Sequence, residues 1–397
     1  MEKKILIINA GSSSLKFKVF LKSNNKVVSS GLCERIYIDG NFKIKFYENG
    51  ELKEVEQKIK LPNHEAAVDV ILKNLKKYHV INDIKEFIGI GHRVVQAGTV
   101  YSDSTIVDQK CIKTIEKYTK LAPLHNPSEL KVINIFKKKL PKVTNVAAFD
   151  TSFHTTIPAI NHIYPINQKI ADKYEIRRYG YHGVSYKFIT QRMEQILKKK
   201  SVNLIVCHIG NGASICAIKN SKSYNTSMGL TPLEGLMMGT RCGTIDPSIA
   251  TYLLSCGMTG QEIDNLFNKQ SGLMGLTGSG DLRDAYKLKL QGNKKAAFAI
   301  DLYINRITDY IVRYANQLDG KIDAIVFTAG VGENQANIVS QSLARIKLFN
   351  MVIDRKILNA KYNDFKKITT AKSKYPAYMV RTDEELMIAE DVKRLSE

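Results

Sequence analysis

Cysteine is sparse in this 397-residue chain, and Cys33, Cys111, Cys207, Cys216, Cys242 and Cys256 form neither a CxxC pair nor a Cys/His metal spacing. A disulfide-stapled scaffold and a zinc module are excluded, and the thiols read as reduced residues of a cytosolic protein. Long apolar runs are missing as well. Ile5–Ile8, behind the N-terminal lysines, is too short for a secretory core, and nothing approaches a membrane span. A cytoplasmic protein without a membrane partner is therefore expected. No GxxxxGK[ST] loop and no set of HRD and DFG elements occurs, which removes P-loop NTPases and protein kinases. No low-complexity linker separates the parts, so the halves are expected to pack tightly.

Acidic residues are few beside basic ones, 38 against 59, for a formal net charge of +21. Such an excess raises the possibility of a polyanion-binding protein. The lysines, however, cluster at apparent helix ends, as in Lys137–Lys139 and Lys198–Lys200, where they meet the negative end of the helix dipole. No arginine-rich arm or aromatic-basic alternation accompanies them. A solvated lysine-rich surface is expected, with no specific nucleic-acid partner, though its field would draw in anionic substrates.

What remains is an ordinary globular composition, 44% hydrophobic and 24% charged, long enough for two large domains. Alternating apolar residues predict strands at Lys4–Asn9, Ser14–Leu21, Lys26–Ile38 and Asn41–Tyr47. A helix over His64–Tyr78, a strand over Phe87–Val95, helices around Ile112 and Leu130 and a strand over Val143–Phe149 follow. Strands leading into βαβα describe a mixed sheet covered by helices. The pattern then recurs: "CHIGNGASICA" matches the opening "IINAGSSSLKF" in kind, strand, small-residue turn and strand, with Ser214 opposite Ser14. A buried strand over Ile322–Thr328 ends in "AGVGEN", before a helix expected from Asn334. Two such hairpins half a chain apart suggest a duplicated α/β domain that binds a nucleotide.

A small-residue turn after a buried strand is commonly just a turn, but it can also cradle phosphate with backbone N–H groups. Charged residues stand in unusual company beside these turns: Arg93 in "GIGHRVVQAG", Asp150 in "VAAFDTSFH", His182 in "RRYGYHG" and Arg241 in "GLMMGTRCGTIDP". Each alone is explained by a structural ion pair or a satisfied core histidine. Together they suit phosphoryl transfer, which needs positioned positive charge and a metal more than covalent help.

Nine strings, "INAGSSSLKF", "GHRVV", "LAPLHNP", "FDTSFH", "RRYGYHGVS", "HIGNGAS", "TSMGLTPLEGLMMGTR", "FTAGVGEN" and "DEELMIA", in this order resemble the acetate kinase family over nearly the full length. The resemblance implies duplicated ribonuclease-H-like (actin-like ATPase) domains, each a mixed sheet flanked by helices, with the active site in a cleft between them. It implies a domain over residues 1–150, with a C-terminal helix over 384–397 packing back on it, and a nucleotide-binding domain over 151–383. It further implies a homodimer that converts ATP and acetate to ADP and acetyl phosphate with Mg²⁺, for which Mn²⁺ is expected to substitute.

Carried over residue by residue, the resemblance assigns Asn9 and Glu384 to the metal. Lys16, the turn His208, Ile209, Gly210, Asn211 and Gly212, and the turn Gly330, Val331, Gly332, Glu333 and Asn334 would line the nucleotide, with Asp281, Leu282 and Arg283 near its adenosine end. Arg93 would hold the substrate carboxylate, while His182 and Arg241 stabilise the transferring group. Val95, Leu124, Tyr181 and Pro232 match the small apolar pocket, and Asp150 the acid/base candidate. A carboxylate nucleophile with a pKa of about 4 to 5 has no proton to lose at neutral pH, so Asp150 is expected to orient an arginine or the metal shell instead.

The chain also departs from the family pattern. Gln96 and Ala97 stand where an imidazole and a glycine are usual, Tyr181 where phenylalanine is, and Asn225 and Thr244 where aspartates are. These bear on acyl-chain preference more than on reaction class, and the added hydroxyl of Tyr181 is expected to favour acetate over propionate. Propionate kinase or another short-chain acyl kinase is the near alternative. An actin- or chaperone-like ATPase would share the phosphate turns without needing an acyl pocket.

Overall fold

The computed structural model of the protein describes residues 2–397. The chain forms two compact units, one running to Thr155 and regaining Asp383–Glu397, the other spanning Thr156–Thr382. In the first unit β1 (Lys4–Ala10), β2 (Ser14–Leu21), β3 (Val27–Glu34), β4 (Asn41–Glu48) and β5 (Glu51–Lys58) make an antiparallel meander. After the helix His64–Lys77 come β6 (Phe87–Val94), β7 (Thr105–Ile106) and β8 (Thr144–Phe149), giving the sheet order β5-β4-β3-β2-β1-β6-β8-β7. Here β1, β6 and β8 run parallel. They are covered on both faces, which is why Ile5, Leu6, Ile7 and Ile8 read as a continuous apolar run and are all at most 1% exposed. Each such side chain contributes about 1.5–3 kcal/mol by leaving water.

One expected strand is shorter than its pattern suggests, and one strand is unannounced by the sequence. The third strand ends at Glu34 rather than Ile38, because the chain turns through Arg35 and Tyr37 with φ of 56° and 74°. The strand β5 has no apolar alternation to announce it. It is an exposed edge held by its ladder to β4, with Lys43 bonded to Glu54 and Glu56 and Lys45 to Glu54 across the pair.

The second unit repeats the plan. Antiparallel β9 (Leu204–Ile209), β10 (Ala213–Lys219) and β11 (Lys222–Thr226) continue into β12 (Ala324–Thr328) and β14 (Ala377–Val380), both parallel to β9, with β13 (Phe365–Lys367) at the edge. The cores superpose in kind: β3-β2-β1-β6-β8 in one sheet corresponds to β11-β10-β9-β12-β14 in the other. The duplication expected from the paired hairpins is therefore present, as two mixed sheets with flanking helices. Among the helices of this unit are Gly183–Leu197 and the 24-residue Lys294–Gln317. The "AGVGEN" segment is not an open turn ahead of a helix. It is itself the helix Ala329–Asn334, entered through Ala329 at φ 64°, and a second helix, Ala336–Arg345, follows it. The six cysteines are all free.

Candidate active site

In the first unit the parallel register decides the neighbours. Ile8 pairs with His92 and Arg93 with Ala148, so Asn9, Arg93 and Asp150 fall at adjacent strand ends on one side of the pleat. Gly89 and Gly91 share that side. A Cβ on Gly91 would lie 2.5 Å from Ile388, and one on Gly89 2.5 Å from Val392, so the absence of side chains there lets the C-terminal helix Glu384–Leu395 seat directly on the strands. That seating brings Glu384, at the start of the helix, to 3.5 Å from Arg93 Nη1.

Arg93 is gripped by Asp150. Its Nε donates to one carboxylate oxygen at 3.0 Å and its Nη2 to the other at 2.7 Å, a bidentate pair that fixes the guanidinium plane. Burial opposes the charge on Arg93, yet the carboxylates of Asp150 and Glu384 raise its pKa well above the ordinary value. Burial pushes the Glu384 carboxyl up, and Arg93 pulls it back. Lys16 lies directly across β1 and β2 from Asn9 and is exposed. Val95 is buried at the end of β6, whereas Leu124 is 60% exposed.

In the second unit the small-residue turn Gly210–Gly212 faces a guanidinium and an imidazole. A Cβ on Gly212 would sit 3.5 Å from Arg241 Nη1 and 3.7 Å from His182 Nε2, so a glycine keeps that space open. His182 is placed by a left-handed backbone, φ 60°, that starts the helix Gly183–Leu197. Its ring stacks on His208 with centroids 4.1 Å apart. Its Nδ1 is 2.8 Å from Ser214 Oγ, itself 2.5 Å from the Tyr186 hydroxyl. These contacts hold the ring so that its Nε2 edge faces the glycine turn. Arg241 donates from Nη1 to Pro232 O at 3.1 Å. Burial lowers its pKa, and among the described residues no carboxylate pairs with it.

Beside this lies a cavity of about 500 Å³, large enough for a nucleotide-sized ligand. Gly210, Asn211, Asp281, Leu282, Arg283, Gly330, Val331 and Asn334 line it, as do Gly239, from the string that carries Arg241, and Leu273, Gly280, Tyr303 and Gln335, which no sequence motif singled out. Glu333 turns the other way. Its Oε1 accepts from the N–H groups of Ala329 at 2.9 Å and Thr382 at 3.0 Å, bracing the strained turn. Gly332 packs on the end of β12, Ile209 is fully buried, and His208 is stacked behind His182. The Tyr181 hydroxyl donates to Leu230 O at 2.7 Å, and so holds the loop that carries Pro232.

The positions that depart from the family pattern make structural bonds. Gln96 Oε1 accepts from Gly98 N at 2.7 Å. Asn225 donates to Gln317 at 2.9 Å, and Thr244 Oγ1 accepts from Gly235 N at 3.1 Å.

The acetokinase family profile matches residues 4–390. The acetate kinase of Mycoplasma pneumoniae is 49% identical over 397 residues, covering 100% of this chain and 99% of that protein. That of Mycoplasmoides gallisepticum is 48% identical, with 99% of each covered. Among solved structures, Porphyromonas gingivalis acetate kinase aligns with a TM-score of 0.92 at 37% identity over 100% of both chains. A propionate kinase from Francisella tularensis aligns at 0.91 and 35% identity over 98% of both.

Proposed function

We propose, because the chain belongs to the acetokinase family, that it transfers the terminal phosphoryl group of ATP to acetate, giving acetyl phosphate and ADP, and catalyses the reverse. The observation that carries this reading is Arg241: a half-buried guanidinium without a carboxylate partner among the described residues, directed with His182 at a glycine turn beside a nucleotide-sized cavity. Such charge is retained at a cost in desolvation and suits an anion that arrives with the substrate.

Residues 1–150 with the C-terminal helix act as the acceptor domain and residues 151–383 as the nucleotide domain in this reading. Arg93, oriented by Asp150, presents its remaining N–H groups to the acetate carboxylate. The carboxylate oxygen attacks the terminal phosphorus in line, and no proton needs removing, which leaves Asp150 the role of holding Arg93. Arg241 and His182 bind the equatorial oxygens as charge spreads over them, and the bond to the ADP oxygen breaks. The small apolar contacts of Val95, Leu124, Tyr181 and Pro232 limit the acyl chain.

Magnesium belongs to the same reading. No group of three His, Cys, Asp or Glu side chains that could cage a metal occurs among the described residues. The donor set suits a cation that takes few protein ligands: one guanidinium stands between Asp150 and Glu384, and Asn9 offers an amide on the same side of the sheet. Asn9 and Glu384 would hold the ion, and bound there it would neutralise phosphate charge. A homodimer and a cytoplasmic location complete the reading on family membership. No described helix is long and apolar enough to cross a membrane.

The test is acyl hydroxamate formation from ATP, Mg²⁺ and acetate in hydroxylamine, with propionate and butyrate in parallel. Acetate-dependent product, lost on chelating the metal and lower with propionate, is expected. Equal turnover of butyrate would remove the pocket assignment, and ATP hydrolysis indifferent to acetate would favour an actin-like ATPase.

A further inference from the structure

The first turn of the helix Asn126–Lys139 makes contacts that the transfer reaction does not use. The ladder between β6 and β8 ends at Val94, whose carbonyl accepts from Asp150 N at 2.9 Å. The next two main-chain N–H groups are buried and must be satisfied. Glu129 Oε2 accepts from Val95 N at 3.0 Å, and Asn126 Oδ1 from Gln96 N at 3.2 Å, while Asn126 Nδ2 donates to Gln96 O at 2.9 Å. An amide suits this work. A carboxyl that is 3% exposed is a costly way to hold one N–H group, and it stands where the charges of Arg93 and Asp150 both act on it.

We propose that Glu129 is a positioning residue for the acyl acceptor: by accepting from Val95 N it fixes the main chain two residues beyond Arg93. This rests on the reading of Arg93 as the carboxylate-binding group. Burial raises the Glu129 pKa to about 8, against the pull of the Val95 N–H and Arg93 and with the push of Asp150. At neutral pH Glu129 is therefore mainly uncharged. As pH rises through about 8 it ionises and becomes a third claimant on Arg93, facing Arg93 from β6 and Asp150 from the end of β8, while Glu384 acts on Arg93 from the C-terminal helix. Acetate then binds less well.

The experiment measures KM for acetate and for ATP across pH 6.5–9.5 with the full chain. If the unsubstituted protein forms no acyl phosphate from any carboxylate, the acceptor reading fails, and that outcome is read before any variant. Given turnover, Glu129→Ala is expected to raise the acetate KM about tenfold and leave the ATP KM within about twofold. Glu129→Gln, which still offers an oxygen to Val95 N, should restore most of that loss at pH 7 and flatten the rise in acetate KM above pH 8. Equal rises in both KM values, failure of Gln to restore, or an unchanged pH rise in Glu129→Gln would overturn the proposal. Should Glu129→Ala not fold, the pH profile of Glu129→Gln decides.

Discussion

Both units place a candidate arginine near the same backbone device, an antiparallel hairpin that continues into parallel strands, but they surround those arginines differently. Arg93 in the first unit meets Asp150 at 2.7 Å and Glu384 at 3.5 Å. Arg241 in the second meets a carbonyl and a thioether and no carboxylate. The comparison teaches that duplication supplied the scaffold while side chains divided the labour. In the proposed reading the first end orients a guanidinium for a small carboxylate, and the second leaves a positive charge for a phosphoryl group.

The sharpest way to break this division is Arg241→Gln. It should lower kcat about 10³-fold while moving the acetate KM little, because the lost charge is needed mainly as the phosphoryl group transfers. Steady-state kinetics with both substrates varied would show it, and a raised acetate KM at normal kcat would move Arg241 to the acceptor side. Next, Asp150→Asn keeps the shape but loses a charge-assisted acceptor, so kcat/KM for acetate should fall about 10²-fold. Any acidic limb of the pH profile should survive this change; its disappearance would return a proton-accepting role to Asp150. The smallest kinetic effect is expected of Gly91→Ala, which tests how the first unit is assembled. The new Cβ meets Ile388, and urea unfolding should report a loss of about 1–3 kcal/mol from overpacking. Unchanged stability would mean that the C-terminal helix does not depend on that bare strand.

Much of the candidate site was legible in sequence because its parts are local. The hairpin turns, the arginine after "GIGH" and the histidine in "RRYGYHG" all stand out in short patterns of small and charged residues. Other parts left no local trace. Strand β5 is built from charges and held by its partner, Tyr303 reaches the cavity from the middle of a long helix, and Glu129 looks like an ordinary acid in the first turn of a helix. The glycines of "AGVGEN" suggest a turn, whereas in that segment Ala329 alone takes the left-handed conformation and Glu333 folds back to satisfy its N–H.

What the sequence by itself determined is local: which segments become strands, where small residues let the backbone turn, and which cationic and acidic side chains stand at those turns. Local backbone preference and side-chain period suffice for that. Only the tertiary structure decided the partnerships. Arg93 and Asp150 are 57 residues apart and meet because two parallel strands end in register. Glu384 joins them because two glycines let a distant helix lie on the sheet. Long-range register and close packing set those distances, and with them which arginine meets carboxylates and which does not.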